Sequence, residues 1–285
     1  GTGVVADGGA SATLHDLYLV PGEHRIEVTG SGGDYTLAAT PMGPPDPNAE
    51  REPNDDQARA NRIEVGDTRT GRLRDRDLDW YRFSLAATEH LVIDVDVPDA
   101  SAIVLELSTG AQTIVETRGT DVGQDIHYDA LLPAGEYLLW LAPTQPSDQA
   151  YRLDLRRADP FVRDGDLEPN DTATTARDLP ASGVVEGTGW GIGDPDWYRL
   201  PTVAGGHYEA DVAGDVAFVE LVQGDTRVSL RQTGEGTRWS TDEAPAGDVS
   251  LVVTALGDYT LRVPDAAQAT PPPVAVEVTL AMPAD

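Results

Sequence analysis

Two short acidic runs carry the chemistry that this sequence offers. The first places Glu50, Glu52, Asn54 and Asp55 within six residues, and the second places Asp166, Glu168, Asn170 and Asp171 in the same spacing. A further acidic pair follows each run, Asp77 and Asp79 after the first, Asp194 and Asp196 after the second. Oxygen donors at this density suit a hard divalent cation, because calcium takes six to eight oxygen ligands in flexible geometry. Like charges packed so closely are costly unless a cation or salt neutralises them. The plain alternative is that Asn54 and Asp55 cap a helical turn while Asp77 and Asp79 are solvated loop charges. Recurrence of the spacing favours the cation, and one ion per run is expected.

Other chemistry finds no support in the residues. Asp94-Val95-Asp96 begins like a calcium loop of the helix-loop-helix kind, but it lacks the glycine and closing glutamate and alternates as a strand. His15, His24, His90, His127 and His207 are scattered without metal-ligand spacing. Ser84, Ser108 and Ser229 sit in no nucleophile-elbow context. A phosphate-cradling loop would need a lysine, and the chain has none. Carboxylate pairs abound, yet a glycosidase pair also needs a cleft and a raised acid. No enzyme activity is expected.

Composition narrows the field. The 285 residues carry 49 acids against 20 bases, all arginine, for a net charge of −29. Such a field repels phosphate, which excludes the usual nucleic-acid binder and disfavours anionic lipid. Asp outnumbers Glu 33 to 16, a balance suited to high salt or to divalent-cation loading. No cysteine is present, so neither disulfides nor thiolate metal sites enter. No apolar run reaches the ~18 residues of a membrane span, so no membrane insertion is expected. Residue 1 is Gly rather than Met, and the sequence reads as a mature or excised piece of a longer protein.

The elements that position the acids are strands. Glycine and proline are plentiful and aromatics only 6%, a mix that suits short strands joined by turns. Tyr81, Phe83 and Leu85 alternate with Trp80, Arg82 and Ser84; Leu91, Ile93, Val95 and Val97 alternate likewise, as do Ile103, Leu105 and Leu107, and Tyr151, Leu153 and Leu155. The only helical expectation is a short turn after each Asn-Asp pair, over 56–62 and 172–178.

The chain repeats itself. Glu52-Pro53-Asn54-Asp55 recurs as Glu168-Pro169-Asn170-Asp171, and Asp77-Leu78-Asp79-Trp80-Tyr81-Arg82 as Asp194-Pro195-Asp196-Trp197-Tyr198-Arg199. Pro133-Ala134-Gly135 recurs as Pro245-Ala246-Gly247, and Tyr151-Arg152-Leu153 as Tyr259-Thr260-Leu261. Val20-Pro21-Gly22-Glu23 and Asp34-Tyr35-Thr36-Leu37 repeat only the closing motifs. The organisation expected is therefore the C-terminal half of a module over 1–43, complete modules over 44–158 and 159–264, and a Pro-rich linker leading to a following strand over 265–285. The half module should contain strands over 14–20, 24–29 and 35–39, with 274–280 as a spare strand that helps cover it. The fold class expected is all-β: tandem antiparallel, jelly-roll-like β-sandwich modules, since seven or eight strands per ~110 residues suit a sandwich.

In combination these motifs resemble the bacterial pre-peptidase C-terminal domain family, whose relatives include the collagen-binding domains of clostridial collagenases. The resemblance covers both full modules and the tail of the first. It implies a jelly-roll-like sandwich in secreted or cell-surface (extracellular or periplasmic) proteins, often beside a peptidase domain. It also implies calcium ligands: Glu50, Glu52, Asn54, Asp55, Asp77 and Asp79 in one module, and Asp166, Glu168, Asn170, Asp171, Asp194 and Asp196 in the next. The first ligand differs, Glu50 against Asp166. No collagen-contacting surface carries over.

Two functional readings follow. One is a non-catalytic, calcium-rigidified spacer or adhesion array; the alternative is a substrate-binding or secretion accessory region of an extracellular peptidase or other hydrolase. Partners would be other domains of the same parent protein, with an extracellular protein or glycan as possible ligand. Trp80 and Trp197 share a repeat position and read as packing residues. Trp190, in a Gly-rich loop, reads either as a plug for the sandwich edge or as an exposed ligand contact, and with Trp239 would serve a glycan-binding variant of the first reading.

Overall fold

A computed structural model describes residues 11–14, 17, 19–44, 46–118, 121–158, 166–201, 203–233 and 236–263. Among them every regular element is a strand except one 3-10 turn, Gln57–Arg59. The first sandwich contains β1 (Asn61–Arg62), β2 (Thr68–Gly71), β3 (Asp79–Leu85), β4 (Glu89–Asp96), β5 (Ala102–Ser108), β6 (Thr113–Arg118), β7 (Ile126–Leu132), β8 (Gly135–Gln145) and β9 (Tyr151–Arg157). Two sheets form, in the orders β1-β3-β8-β5-β6 and β2-β9-β4-β7. The apolar residues of the period-two pattern meet between them: Tyr81 and Phe83 from one sheet, Leu91, Ile93 and Leu153 from the other. Burying each such side chain contributes ~1.5–3 kcal/mol. The opposite faces are polar. Asp94 accepts from Arg156 at 2.9 Å and lies 2.5 Å from His127, which makes it a strand-face ion pair.

The second sandwich contains β10 (Arg177–Asp178), β11 (Val184–Thr188), β12 (Pro195–Arg199), β13 (Val203–Gln223), β14 (Thr226–Ser229), β15 (Arg231–Gln232), β16 (Arg238–Gly247) and β17 (Ser250–Arg262). Its pairings repeat those of the first. β12 lies against the front of β17 as β3 lies against β8, and β11 against the end of β17 as β2 lies against β9. One feature departs from the expectation of separate strands. β13 and β17 run unbroken where the first sandwich uses β4 then β5, and β8 then β9, so all the strands join in one bent sheet. The corner is made by Gly214, at φ +122°, where a Cβ would lie 2.3 Å from the Asp258 carbonyl oxygen. Only glycine adopts that conformation at so close an approach.

Two other expectations are corrected. The helical turn after Asn-Asp is a single 3-10 turn over Gln57–Arg59 in the first sandwich and a non-helical turn at 173–175 in the second. Each is followed by a two-residue strand that pairs in parallel, β1 with β3 and β10 with β12, so backbone pairing to the Trp strand takes the place of further helix. In the expected half module, the described residues of 14–20, 24–29 and 35–39 form no strand beyond one bridge, Leu19 with Glu52. Ile26 and Tyr35 are exposed there. Strands hold only where a neighbour satisfies their backbone and covers their apolar face, and these have none among the described residues. The spare strand at 274–280 and the Pro-rich linker before it lie outside the described residues.

Candidate metal centre

The first acidic run is threaded between the two sheets. Glu50 donates its backbone N–H to Thr70 of β2 at 2.9 Å, and Trp80 of β3 donates to the Asn54 carbonyl at 3.0 Å. Between these anchors the chain turns through a cis Glu52–Pro53 bond, and Asn54 N–H donates to its own neighbour Glu52 Oε2 at 3.3 Å. The second run repeats the device: Trp197 N–H donates to the Asn170 carbonyl at 3.0 Å, Glu168–Pro169 is cis, and Asn170 N–H donates to Glu168 Oε2 at 3.0 Å.

This folding gathers the expected residues. Glu50, Glu52 and Asp79 bring one carboxylate oxygen each within 4.8 Å of one another, as do Asp166, Glu168 and Asp196, and also Glu168, Asp171 and Asp194. Asn54, Asp77, Asp79, Asn170 and Asp196 are wholly buried, Glu50, Glu52, Asp166, Glu168 and Asp194 nearly so, and Asp55 and Asp171 half-buried. Asp77 lies beside Asp79 and raises its pKa, though it stands outside the tight triplet.

Burial of so many carboxylates has consequences. Desolvation, with neighbouring carboxylates adding, pushes Asp79, Glu168, Asp194 and Asp196 well above the usual carboxylate range, and desolvation raises Glu50. Asp171 is pushed up to about 6, chiefly by desolvation. Several buried oxygens have no hydrogen-bond partner: Asn54 Oδ1 and Asp79 Oδ1 in one sandwich, Asn170 Oδ1, Asp171 Oδ1, Asp194 Oδ1 and Asp196 Oδ1 in the other. Buried polar atoms are ordinarily paired, so orphaned acceptors converging from several segments mark a place for a cation. The donor set is all oxygen, which suits a hard metal ion over a soft one.

Tyrosine pairs, which the sequence showed only as recurrent strand residues, carry the carboxylates. Tyr151 donates to Asp79 Oδ2 at 2.7 Å and lies 2.6 Å from the Tyr81 hydroxyl. In the second sandwich Tyr259 donates to Asp196 Oδ2 at 2.8 Å, Tyr198 donates to Asp166 Oδ1 at 3.0 Å, and the two hydroxyls are 2.5 Å apart. Glycine makes room for them: a Cβ on Gly71 would lie 2.3 Å from the Tyr151 hydroxyl, and one on Gly187 would lie 2.4 Å from the Tyr259 ring. Backbone donors complete the setting. Arg72 N–H reaches Glu50 Oε1 at 2.9 Å, Thr188 N–H reaches Asp166 Oδ2 at 3.0 Å, and Trp190 N–H reaches Asp194 Oδ2 at 3.0 Å.

The tryptophans are packed. Trp80 pairs with Trp140 across the sheet at 6.2 Å, and Trp197 is buried with Ala176, Val222 and Val252. Trp239 sits in the second core, its indole donating to the Val212 carbonyl at 3.3 Å. Trp190 plugs a sandwich edge, but that of the preceding sandwich, where its ring lies 5.1 Å from Tyr128. Neither Trp190 nor Trp239 is an exposed platform, so the glycan-binding variant loses both its residues.

Fold and site define an all-β chain of two sandwiches, each with a buried carboxylate cluster that could hold a metal ion. No protein-family profile and no curated protein matches the chain. Among solved structures it is similar to the pre-peptidase C-terminal domain of collagenase from Bacillus anthracis, with 21% identity and a TM-score of 0.30 over 34% of this chain and 94% of that one. It is also similar to the tandem CBM51 modules of a family 98 glycoside hydrolase from Streptococcus pneumoniae (8% identity, TM-score 0.24, 68% and 81% covered) and to the CUB1-EGF-CUB2 domains of rat MASP-1 (7%, 0.20, 71% and 100%). Among the described residues no helix is long and apolar enough to cross a membrane.

Proposed function

We propose that this chain is a non-catalytic array of pre-peptidase-C-terminal-like sandwiches, held in shape by calcium and serving as a spacer or adhesion region of a secreted or cell-surface protein. The observation that carries the reading is the repeated set of wholly buried, unpartnered carboxylate and amide oxygens. Glu50, Glu52, Asn54 and Asp79 would hold the ion in the first sandwich, with Asp55 and Asp77 beside them. Asp166, Glu168, Asn170 and Asp196 would hold it in the second, with Asp171 and Asp194. Calcium suits them because it accepts many oxygens in irregular geometry and binds extracellular sites with Kd of ~10⁻⁴–10⁻³ M. When bound it supplies positive charge that keeps the carboxylates ionised. The chain's own residues would then act as a staple, the opening run and the Trp strand both supplying ligands and the tyrosine pair fixing the carboxylate rotamers. The motifs around each cluster resemble those of the pre-peptidase C-terminal family, a resemblance that supports the reading as part of a secreted protein.

The test is thermal melting in calcium, in chelator, and in sodium chloride at matched ionic strength, with a calorimetric calcium titration. Calcium should raise the midpoint beyond plain salt. Equal midpoints in calcium and in salt, with no heat of binding, would reduce the acids to screened charge.

A further inference from the structure

The second carboxylate cluster is fastened to the first sandwich at three points. Glu168 donates its backbone N–H to the Leu131 carbonyl at the end of β7, at 2.9 Å. Thr188, whose N–H holds Asp166, donates its hydroxyl to Asp258 Oδ1 of its own sandwich at 2.8 Å and faces Asp129 Oδ1 of β7 at 3.3 Å, a contact without a second donated proton. Trp190, whose N–H holds Asp194, lays its ring on Tyr128 of the same strand and packs against the first core. Glu168 and Asp194 therefore have a tether to the neighbouring sandwich on the residue itself or on the residue that grips it, and the residue that grips Asp166 touches β7. The start of the chain repeats the contact in outline: Val20 N–H donates to the Glu52 carbonyl at 3.1 Å, where Val20-Pro21-Gly22 is the counterpart of Leu132-Pro133-Ala134.

We propose that the cluster of Asp166, Glu168, Asp194 and Asp196 is the joint between the two sandwiches, with β7 of the preceding sandwich as its docking partner, so that cation uptake and the fixed packing of the two units are one coupled equilibrium. The proposal rests on the cation reading above and adds the partner and the consequence. The wholly buried, unpartnered Oδ1 atoms of Asn170 and Asp196 supply the place for the ion independently of the tethers. Coupling is reciprocal: if the ion narrows the relative positions of the sandwiches, loosening the joint must weaken the ion by the same factor. The segment bridged to the first cluster, Leu19 with Glu52, belongs to no strand ladder among the described residues, so the coupling to a neighbouring sandwich is expected at the second cluster.

The test uses the full chain. It has no cysteine, so Gln124→Cys and Asp225→Cys, at exposed positions on the two sandwiches, give a clean pair of spin labels. The interlabel distance distribution should be narrow in calcium and broad in chelator. In an Asp79→Ala background, where only the second site titrates, Trp190→Ala should weaken calcium at least about fivefold and broaden the distances in calcium. Trp190→Leu, which keeps the backbone donor to Asp194 and loses only the ring against Tyr128, should act in the same direction and decides the matter if Trp190→Ala does not fold. Distances indifferent to calcium, or folded variants that broaden the distances yet bind calcium as before, would overturn the joint while leaving the cation site standing. No calcium uptake by the parent chain would instead overturn the cation reading itself, and the joint with it.

Discussion

Asp196→Asn should reverse its effect on stability when calcium is removed. Asp196 is wholly buried; its Oδ2 accepts from Tyr259 at 2.8 Å, its Oδ1 has no partner, and Asp166, Glu168 and Asp194 surround it. Asparagine keeps the shape and the acceptor for Tyr259 while removing one charge, or one obligatory proton, from the cluster. Replacing a poorly compensated buried charge by a neutral group of similar volume commonly stabilises by ~1–4 kcal/mol. For a module of ~100 residues each kcal/mol moves Tm by ~4–8 °C, so in chelator the variant should melt at least about 4 °C above the parent. In calcium the order inverts. A ligand at a hundredfold excess over Kd adds ~2.7 kcal/mol to the parent, and the variant forfeits most of that along with a charged ligand. The assay is differential scanning calorimetry of both proteins in chelator, in calcium, and in matched sodium chloride. A variant that is less stable than the parent by the same amount in every buffer would refute the reasoning, because Asp196 would then be an ordinary core acceptor.

The metal-free protein should be stabilised by mild acid: Glu50, Asp79, Asp171, Glu168, Asp194 and Asp196 all have folded pKa values raised above those of the unfolded chain, ~4, so their cost is present at neutral pH and is relieved as pH falls through the folded values. With Asp171 at about 6, melting in chelator should rise between pH 7.5 and ~5, while the calcium increment shrinks over the same window; a chelator midpoint that falls steadily with acid would contradict this. Gly187→Ala and Gly71→Ala push a methyl into Tyr259 and Tyr151 and should cost ~1–3 kcal/mol in urea unfolding, whereas Gly193→Ala, with open space around it, should be nearly neutral. Asp94→Asn breaks only exposed pairs to Arg156 and His127 and should change stability by under ~1 kcal/mol and leave calcium uptake unchanged in the calorimeter.

The sequence by itself determined the strands of the two sandwiches and which acids come together in them. Period two placed Tyr81, Phe83, Leu91, Ile93, Leu153 and Leu155 in the core because a pleated strand sends alternate side chains to opposite faces, a local rule that needs no partner. The paired motifs named Glu50, Glu52 and Asp79, and Asp166, Glu168 and Asp196, since a module repeated in the sequence must place its acids twice in the same way. Tertiary structure decided what local rules leave open. The tyrosines of the Trp-Tyr-Arg and Tyr-x-Leu motifs reach the carboxylates only when β3 and β9, or β12 and the far end of the bent β17, come together in the fold, and Gly71 and Gly187 matter only because those rings then pass over them. The continuity of β13 and β17 follows from Gly214 against Asp258, residues far apart in the chain. The apolar alternation after residue 14 met no partner strand among the described residues, and alternation alone does not make a ladder. Trp190 read as a plug or a ligand contact of its own module because nothing in its loop records that β7 of the preceding sandwich, some sixty residues earlier, comes to lie against it.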